Sequence, residues 1–114
     1  MDTVILYRPT GTKELKLVKE SNYKEWPPRL SEQPIFYPVT NEKYAIEIAT
    51  KWNIKESGVG YVTRFLVKKD FMDKYEVQKV GASYHTEWWI PAENLKELNK
   101  NIVGKIEIIG EYRA

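Results

Sequence analysis

The sequence contains no cysteine and a single histidine, His85. The first absence excludes disulfides and all thiolate chemistry. The two together leave no ligand set for a zinc site, so no metal is expected. Gly-x-Gly-x-x-Gly, the Walker loop, Gly-x-Ser-x-Gly and His-Glu-x-x-His are all missing, which removes the usual signatures of dinucleotide folds, P-loop enzymes, esterases and metalloproteases. One histidine with no nearby nucleophile gives little support to a triad hydrolase. Gly58-Val59-Gly60 leads into a strand rather than a helix, which makes it a weak phosphate loop. No apolar run reaches membrane-spanning length and the N-terminus lacks a signal-peptide core, so the expectation is a cytoplasmic protein with no membrane partner. An excess of charge of one sign is lacking as well. The 18 basic and 16 acidic residues interleave, and the basic run Lys68-Lys69 is short. No basic stripe marks a nucleic-acid partner.

What is present is aromatic surface. Eight tyrosines and four tryptophans occur in 114 residues, and each brings an apolar body with a polar tip that suits a pocket wall as well as a core. The length fits one domain, residues 1–114, with no linker or internal repeat.

Along the chain, Thr3 to Arg8 is a β-branched run that Pro9 ends, and it reads as a strand. Thr12 is placed to cap a helix over about 13–21. Three prolines between Trp26 and Pro34 forbid helix and central strand, so this stretch is a loop carrying Trp26 and Arg29, of the kind that lines sites. Ile35 to Val39 reads as a short edge strand limited by Pro38. Asn41 caps the clearest helix, in which Tyr44, Ala45, Ile48, Ala49 and Trp52 form one buried stripe. Tyr61 to Val67 is apolar on both faces and reads as a central strand. A helical turn near Phe71, a short strand over 76–80, a strand over 84–90, a helix from Pro91 to about Asn99 and a closing strand over 105–109 complete the chain. Helices in the first half with strands clustered later predict an α+β fold.

The densest chemistry lies in Tyr84-His85-Thr86-Glu87-Trp88-Trp89-Ile90-Pro91. Strand alternation sets His85, Glu87 and Trp89 on one face and Tyr84, Thr86, Trp88 and Ile90 on the other. A same-face His–Glu pair about 7 Å apart suits ribose binding, cation stabilisation or proton transfer. The plain alternative has His85 bonded to a carbonyl and Glu87 paired with a lysine at a sheet edge. Arg8 divides the same way, between a bidentate phosphate clamp and a surface ion pair. Tyr37 and Trp26, taken singly, suit core or edge packing as well as ligand stacking.

The order of these pieces resembles the ADP-ribosyltransferase superfamily. In Leu6-Tyr7-Arg8-Pro9, Pro27-Pro28-Arg29-Leu30, Gln33-Pro34-Ile35-Phe36-Tyr37-Pro38-Val39, Gly60-Tyr61-Val62-Thr63-Arg64-Phe65, Trp89-Ile90-Pro91-Ala92-Glu93 and Ile102-Val103-Gly104 the chain is similar, over nearly its whole length, to a small bacterial family labelled ADP-ribosylation/crystallin J1. The resemblance implies a split mixed or antiparallel sheet that binds NAD as substrate. It gives Arg8 a contact to phosphate or ribose, and Phe36 to Thr40 a second motif in which Thr40 supplies the hydroxyl while Tyr37 and Pro38 depart from the pattern. It makes Glu87 the acid that stabilises the oxocarbenium-like transition state. His85 stands where arginine-modifying members carry an acid or Gln, which points away from an arginine acceptor and toward a base acting on a hydroxyl or nucleic-acid acceptor. The expectation is therefore an NAD-dependent transferase or glycohydrolase. The alternative is an inactive module on the same fold that binds a nucleotide or a protein.

Overall fold

The computed structural model describes residues 2–114, and its architecture is α+β. Strands β1 (Thr3–Thr10), β3 (Val59–Lys68) and β7 (Ile102–Arg113) form an antiparallel sheet with β3 in the middle. This is the position its two apolar faces require. Strands β2 (Ile35–Phe36) and β6 (Ile90–Pro91) pair antiparallel, as do β4 (Val77–Lys79) and β5 (Thr86–Trp88). Val39 joins these pieces, bridging Tyr7 of β1 on one side and Glu87 of β5 on the other. Pro38 explains why the strand is interrupted there: it can accept from the Trp88 N–H, 3.0 Å, but has no N–H to return.

Each sheet face carries its own core. On the first, Leu6, Phe36, Phe65, Val67, Trp88, Ile90 and Ile106 pack against Leu15 and Val18 of α1 (Thr12–Glu20), Phe71 and Met72 of α4 (Lys69–Met72) and Leu95 and Leu98 of α5 (Leu95–Lys100). Trp26 fills the centre of this face, in tilted contact with Phe36 and Phe65. On the second face, Val39 and Val62 pack against Tyr44, Ala45 and Ala49.

Local departures from the expected pattern have physical causes. Helix α1 begins at Thr12, so the cap position falls to Gly11, whose absent side chain leaves the first turn uncapped. Asn41 does cap α2 (Glu42–Ile48), accepting from the Tyr44 N–H at 2.8 Å. The helix then widens into a π turn, Ala49–Asn53, before α3 (Ile54–Ser57). The extra residue in the turn rotates everything after it out of phase with the stripe. Trp52, expected in the core, is therefore 61% exposed, and Asn53 points to the cleft described below. Ala49 meanwhile sits directly on β3. A Cβ at Gly60 would lie 2.3 Å from the Ala49 carbonyl oxygen, so only glycine fits. The expected strand over 84–90 starts at Thr86, with Tyr84 and His85 in the preceding turn. The closing strand is longer than the 105–109 reading, because both ends remain paired to β3.

Candidate functional site

Alternation along β1 sends Leu6 and Arg8 to the first face and Tyr7 to the second. Alternation along β5 sends Glu87 to the second face and Trp88 to the first. Arg8 and Glu87 thus lie on opposite faces of the sheet. Most of the expected site residues fall into two groups.

The first group is built on Glu14. Arg8 grips its carboxylate through Nε at 2.9 Å and Nη2 at 2.8 Å, the bidentate fork geometry. The Thr10 hydroxyl donates to the same carboxylate at 2.6 Å, and Arg29 Nη1 does so at 3.3 Å. Arg8 Nη1 also donates to the Tyr37 carbonyl at 3.4 Å. The Phe36 ring carries both guanidiniums, with Arg8 Cζ 4.3 Å and Arg29 Cζ 5.7 Å from its centroid. Burial pulls the Glu14 carboxyl upward, but the charges and hydrogen bonds of Arg8, Thr10 and Arg29 overcome it and hold the group below the usual carboxylate range. Burial and the like charge of Arg8 push Arg29 down.

This cluster forms the floor of a cleft of about 920 Å³ between the end of β1, the first turn of α1, the Pro-rich loop and α3. Arg8, Lys13 and Arg29 line it against only two acids, Glu14 and Glu56, so the cleft carries one net positive charge. The uncapped first turn of α1 adds free backbone N–H groups and the positive end of the helix dipole. Trp26, expected at a ligand, is 1% exposed and serves as core, and its loop is held rather than free.

The second group surrounds Tyr44. Glu87 is 8% exposed and accepts from the Tyr44 hydroxyl at 3.0 Å and from Trp89 Nε1 at 2.7 Å. Burial, the Glu87 bond and the nearby charges of Glu87 and Glu47 push the Tyr44 phenol up to about 12, so it remains a donor at neutral pH. His85 stacks on Tyr44 with centroids 4.6 Å apart. Its Nδ1 accepts from the Ala82 N–H at 3.0 Å, and its Nε2 lies 2.5 Å from Glu47 Oε2 without linear hydrogen-bond aim. The expected same-strand His–Glu pair does not form; His85 meets the carboxylate of Glu47 instead of that of Glu87. The Tyr84 hydroxyl donates to Glu47 at 2.7 Å and chiefly accounts for the lowering of that carboxyl.

Thr40 belongs to neither group. Its hydroxyl pairs with that of Thr86, and Asn41 Nδ2 donates to it. Glu14 and Tyr44, the centres of the two groups, are not among the candidates that the sequence singles out; Tyr44 reads there as part of a buried stripe. The one usable signal for Glu14 was its position in the first turn after a strand ending in Arg8. No three His, Asp or Glu side chains converge among the described residues, and no helix there is long and apolar enough to cross a membrane. No family model, curated protein or solved structure matches this chain.

Proposed function

We propose that this protein is a non-catalytic binding module for a small anionic ligand of the nucleotide-diphosphate class, which it takes in the cleft floored by Arg8 and Arg29. The carrying observation is that two guanidiniums share one carboxylate at the bottom of a concave site, leaving a positive charge without a partner. A phosphate placed there gains charge-assisted donors from the arginines and the N–H groups of the first turn of α1. The cleft volume lies within the range of small-molecule sites. The resemblance to ADP-ribosyltransferases makes NAD and ADP-ribose the first ligands to try. Binding without transfer is the better reading because an acid at Glu87 works on the opposite sheet face from a ligand held at Arg8, and both its oxygens already accept protein hydrogen bonds.

The test is calorimetric titration with NAD, ADP-ribose and inorganic pyrophosphate, run beside an assay for nicotinamide release. Binding of at least one of these, weakened by Arg29→Gln, with no nicotinamide released, is the expected result. A ligand at about 100 times its dissociation constant adds roughly 2.7 kcal/mol of stability. Failure of all three to bind at about 10 mM would sink the proposal. Nicotinamide release that disappears in Glu87→Gln would replace it with the NAD-cleaving alternative.

A further inference from the structure

Four buried side-chain polar atoms have no hydrogen-bond partner among the described residues: Trp26 Nε1, Arg29 Nε, Asn53 Oδ1 and His85 Nε2. Folded proteins leave few such groups, and each calls for a physical reason. Trp26 Nε1 belongs to a ring enclosed by the core, and His85 Nε2 faces the Glu47 carboxylate. The other two belong to residues that line one cleft, the one floored by Arg8 and Arg29. They are opposite in type: Arg29 Nε is a donor and Asn53 Oδ1 an acceptor.

A distortion of the helix brings Asn53 to that cleft. In a regular helix the stripe through Ala45 and Ala49 would continue to Trp52. The π turn Ala49–Asn53 instead turns the Trp52 ring outward and sets Asn53 on the cleft wall. Helix α3 follows directly and abuts the start of α1, since a Cβ at Gly11 would stand 3.0 Å from Ser57 Oγ. The Ser57 hydroxyl is already committed, to the carbonyls of Asn53 at 3.2 Å and Val59 at 2.8 Å. The Asn53 acceptor is not. Its Oδ1 is closed off from solvent, yet a turn about χ2, a broad torsion in Asn, presents it to the cleft and breaks no bond at that atom.

An occupant that satisfies both atoms carries an acceptor for Arg29 and a donor for Asn53. A fully ionised inorganic anion supplies only acceptors, and a net positive cleft repels an ammonium. A hydroxyl or a neutral N–H is left. Because α3 lies beside the first turn of α1, where the helix favours a phosphate, the donor belongs close to the phosphate. In a nucleoside diphosphate the ribose hydroxyls stand nearer to the phosphates than any N–H of the base does. We infer that Asn53 is the specificity-determining residue of this cleft, accepting from a ribose hydroxyl while Arg29 holds the phosphate. The inference rests on the anion-binding reading above and adds to it the part of the ligand that is recognised.

The test is calorimetric titration with ADP, with dideoxy-ADP, which lacks both ribose hydroxyls, and with inorganic pyrophosphate. Wild type is expected to bind ADP at least about tenfold more tightly than dideoxy-ADP. Asn53→Leu, close in size but unable to accept, should bring ADP down to the dideoxy level and leave pyrophosphate affinity unchanged. Equal affinity of wild type for the two nucleotides would overturn the inference. If pyrophosphate still binds in that case, the anion-binding reading stands without it. Failure of all three to bind at about 10 mM would remove both. A variant that weakens all three alike would overturn the inference as well, by reducing Asn53 to a structural part of the wall. The comparison of the two nucleotides needs only the wild-type chain, so it decides the matter even where Asn53→Leu fails to fold.

Discussion

Asn99 holds the backbone of Trp26 from both sides. Its Oδ1 accepts from the Trp26 N–H at 2.9 Å, and its Nδ2 donates to the Trp26 carbonyl, also at 2.9 Å. A side-chain amide from α5 thereby imitates a strand neighbour for a loop that has none. The contact spans 73 residues of sequence and pins the Pro-rich segment to the domain, with the Trp26 ring delivered into the core. The arginine cleft depends on this anchor, because Arg29 follows three residues after Trp26.

Asn99→Ala should therefore cost more than a surface amide usually does. It leaves a partly buried N–H and carbonyl without partners, which predicts a loss of about 2–3 kcal/mol. Chemical denaturation measures the loss. A change within ±0.5 kcal/mol would show that the loop is held by the Trp26 ring alone.

Gly60→Ala should be damaging for a steric reason. The added methyl would meet the Ala49 carbonyl at 2.3 Å, and a backbone atom inside a π turn has little room to retreat. Overpacking of this kind costs roughly 1–3 kcal/mol. The same substitution at Gly104, where a Cβ meets nothing within 4 Å but φ is +79°, tests backbone strain without the clash. The two variants should differ in thermal midpoint, with Gly60→Ala the lower.

Much of the fold was legible in the sequence because local rules and tertiary packing agree. The β-branched run of β3 is buried on both faces, Asn41 caps α2, and Leu95 and Leu98 face inward, as periodicity demands. The reading broke down where one residue changed the phase. The π turn moved Trp52 from core to surface, and nothing in Ala49-Thr50-Lys51-Trp52-Asn53 announces a wider turn. The turn before β5 likewise took His85 out of the strand and away from its expected alternation. The candidate site was legible by residue type and opaque in its grouping. Arg8 and Arg29 do gather, but around Glu14, with the Tyr37 carbonyl accepting from Arg8, and Glu87 lies across the sheet. Which face a strand residue takes relative to a distant strand is decided by register, and here an isolated bridge at Val39 sets it.

Glu14→Gln should unbalance the arginine cluster. Arg8 and Arg29 have side chains only 12% and 11% exposed, so removing the shared carboxylate leaves two like charges facing each other in a partly dry site. Breaking buried pairs costs roughly 3–5 kcal/mol, and the remaining solvent access sets the lower end as the expectation here. The pH dependence has a definite sign. A carboxyl held below its unfolded value of 4.5 contributes stability above that value, and the contribution fades as pH falls through the folded pKa. Wild type should lose stability steeply on acidification below about pH 4.5, and Glu14→Gln should show a shallower slope there. Parallel slopes would mean that other carboxylates govern the acid limb.

Tyr44→Phe tests the link between the two ends of the second group. The phenol is pushed up to about 12 by burial first and by Glu87 second. A raised folded pKa stabilises the protein below the unfolded value of 10.0, and that contribution disappears as pH rises through about 12. In an ultraviolet titration of the eight tyrosines, Tyr44 and Tyr84 should both ionise late, and the late amplitude should fall by one tyrosine in Tyr44→Phe. At neutral pH the variant removes one donor to a buried carboxylate, which predicts a loss of about 1–3 kcal/mol. It should also loosen Trp89, since the carboxylate that accepts its indole N–H would keep only one of the two protein donors described here. Faster solvent exchange of the Trp89 indole proton in Tyr44→Phe is the expected signature. Unchanged exchange would show that Glu87 holds the indole without help from Tyr44.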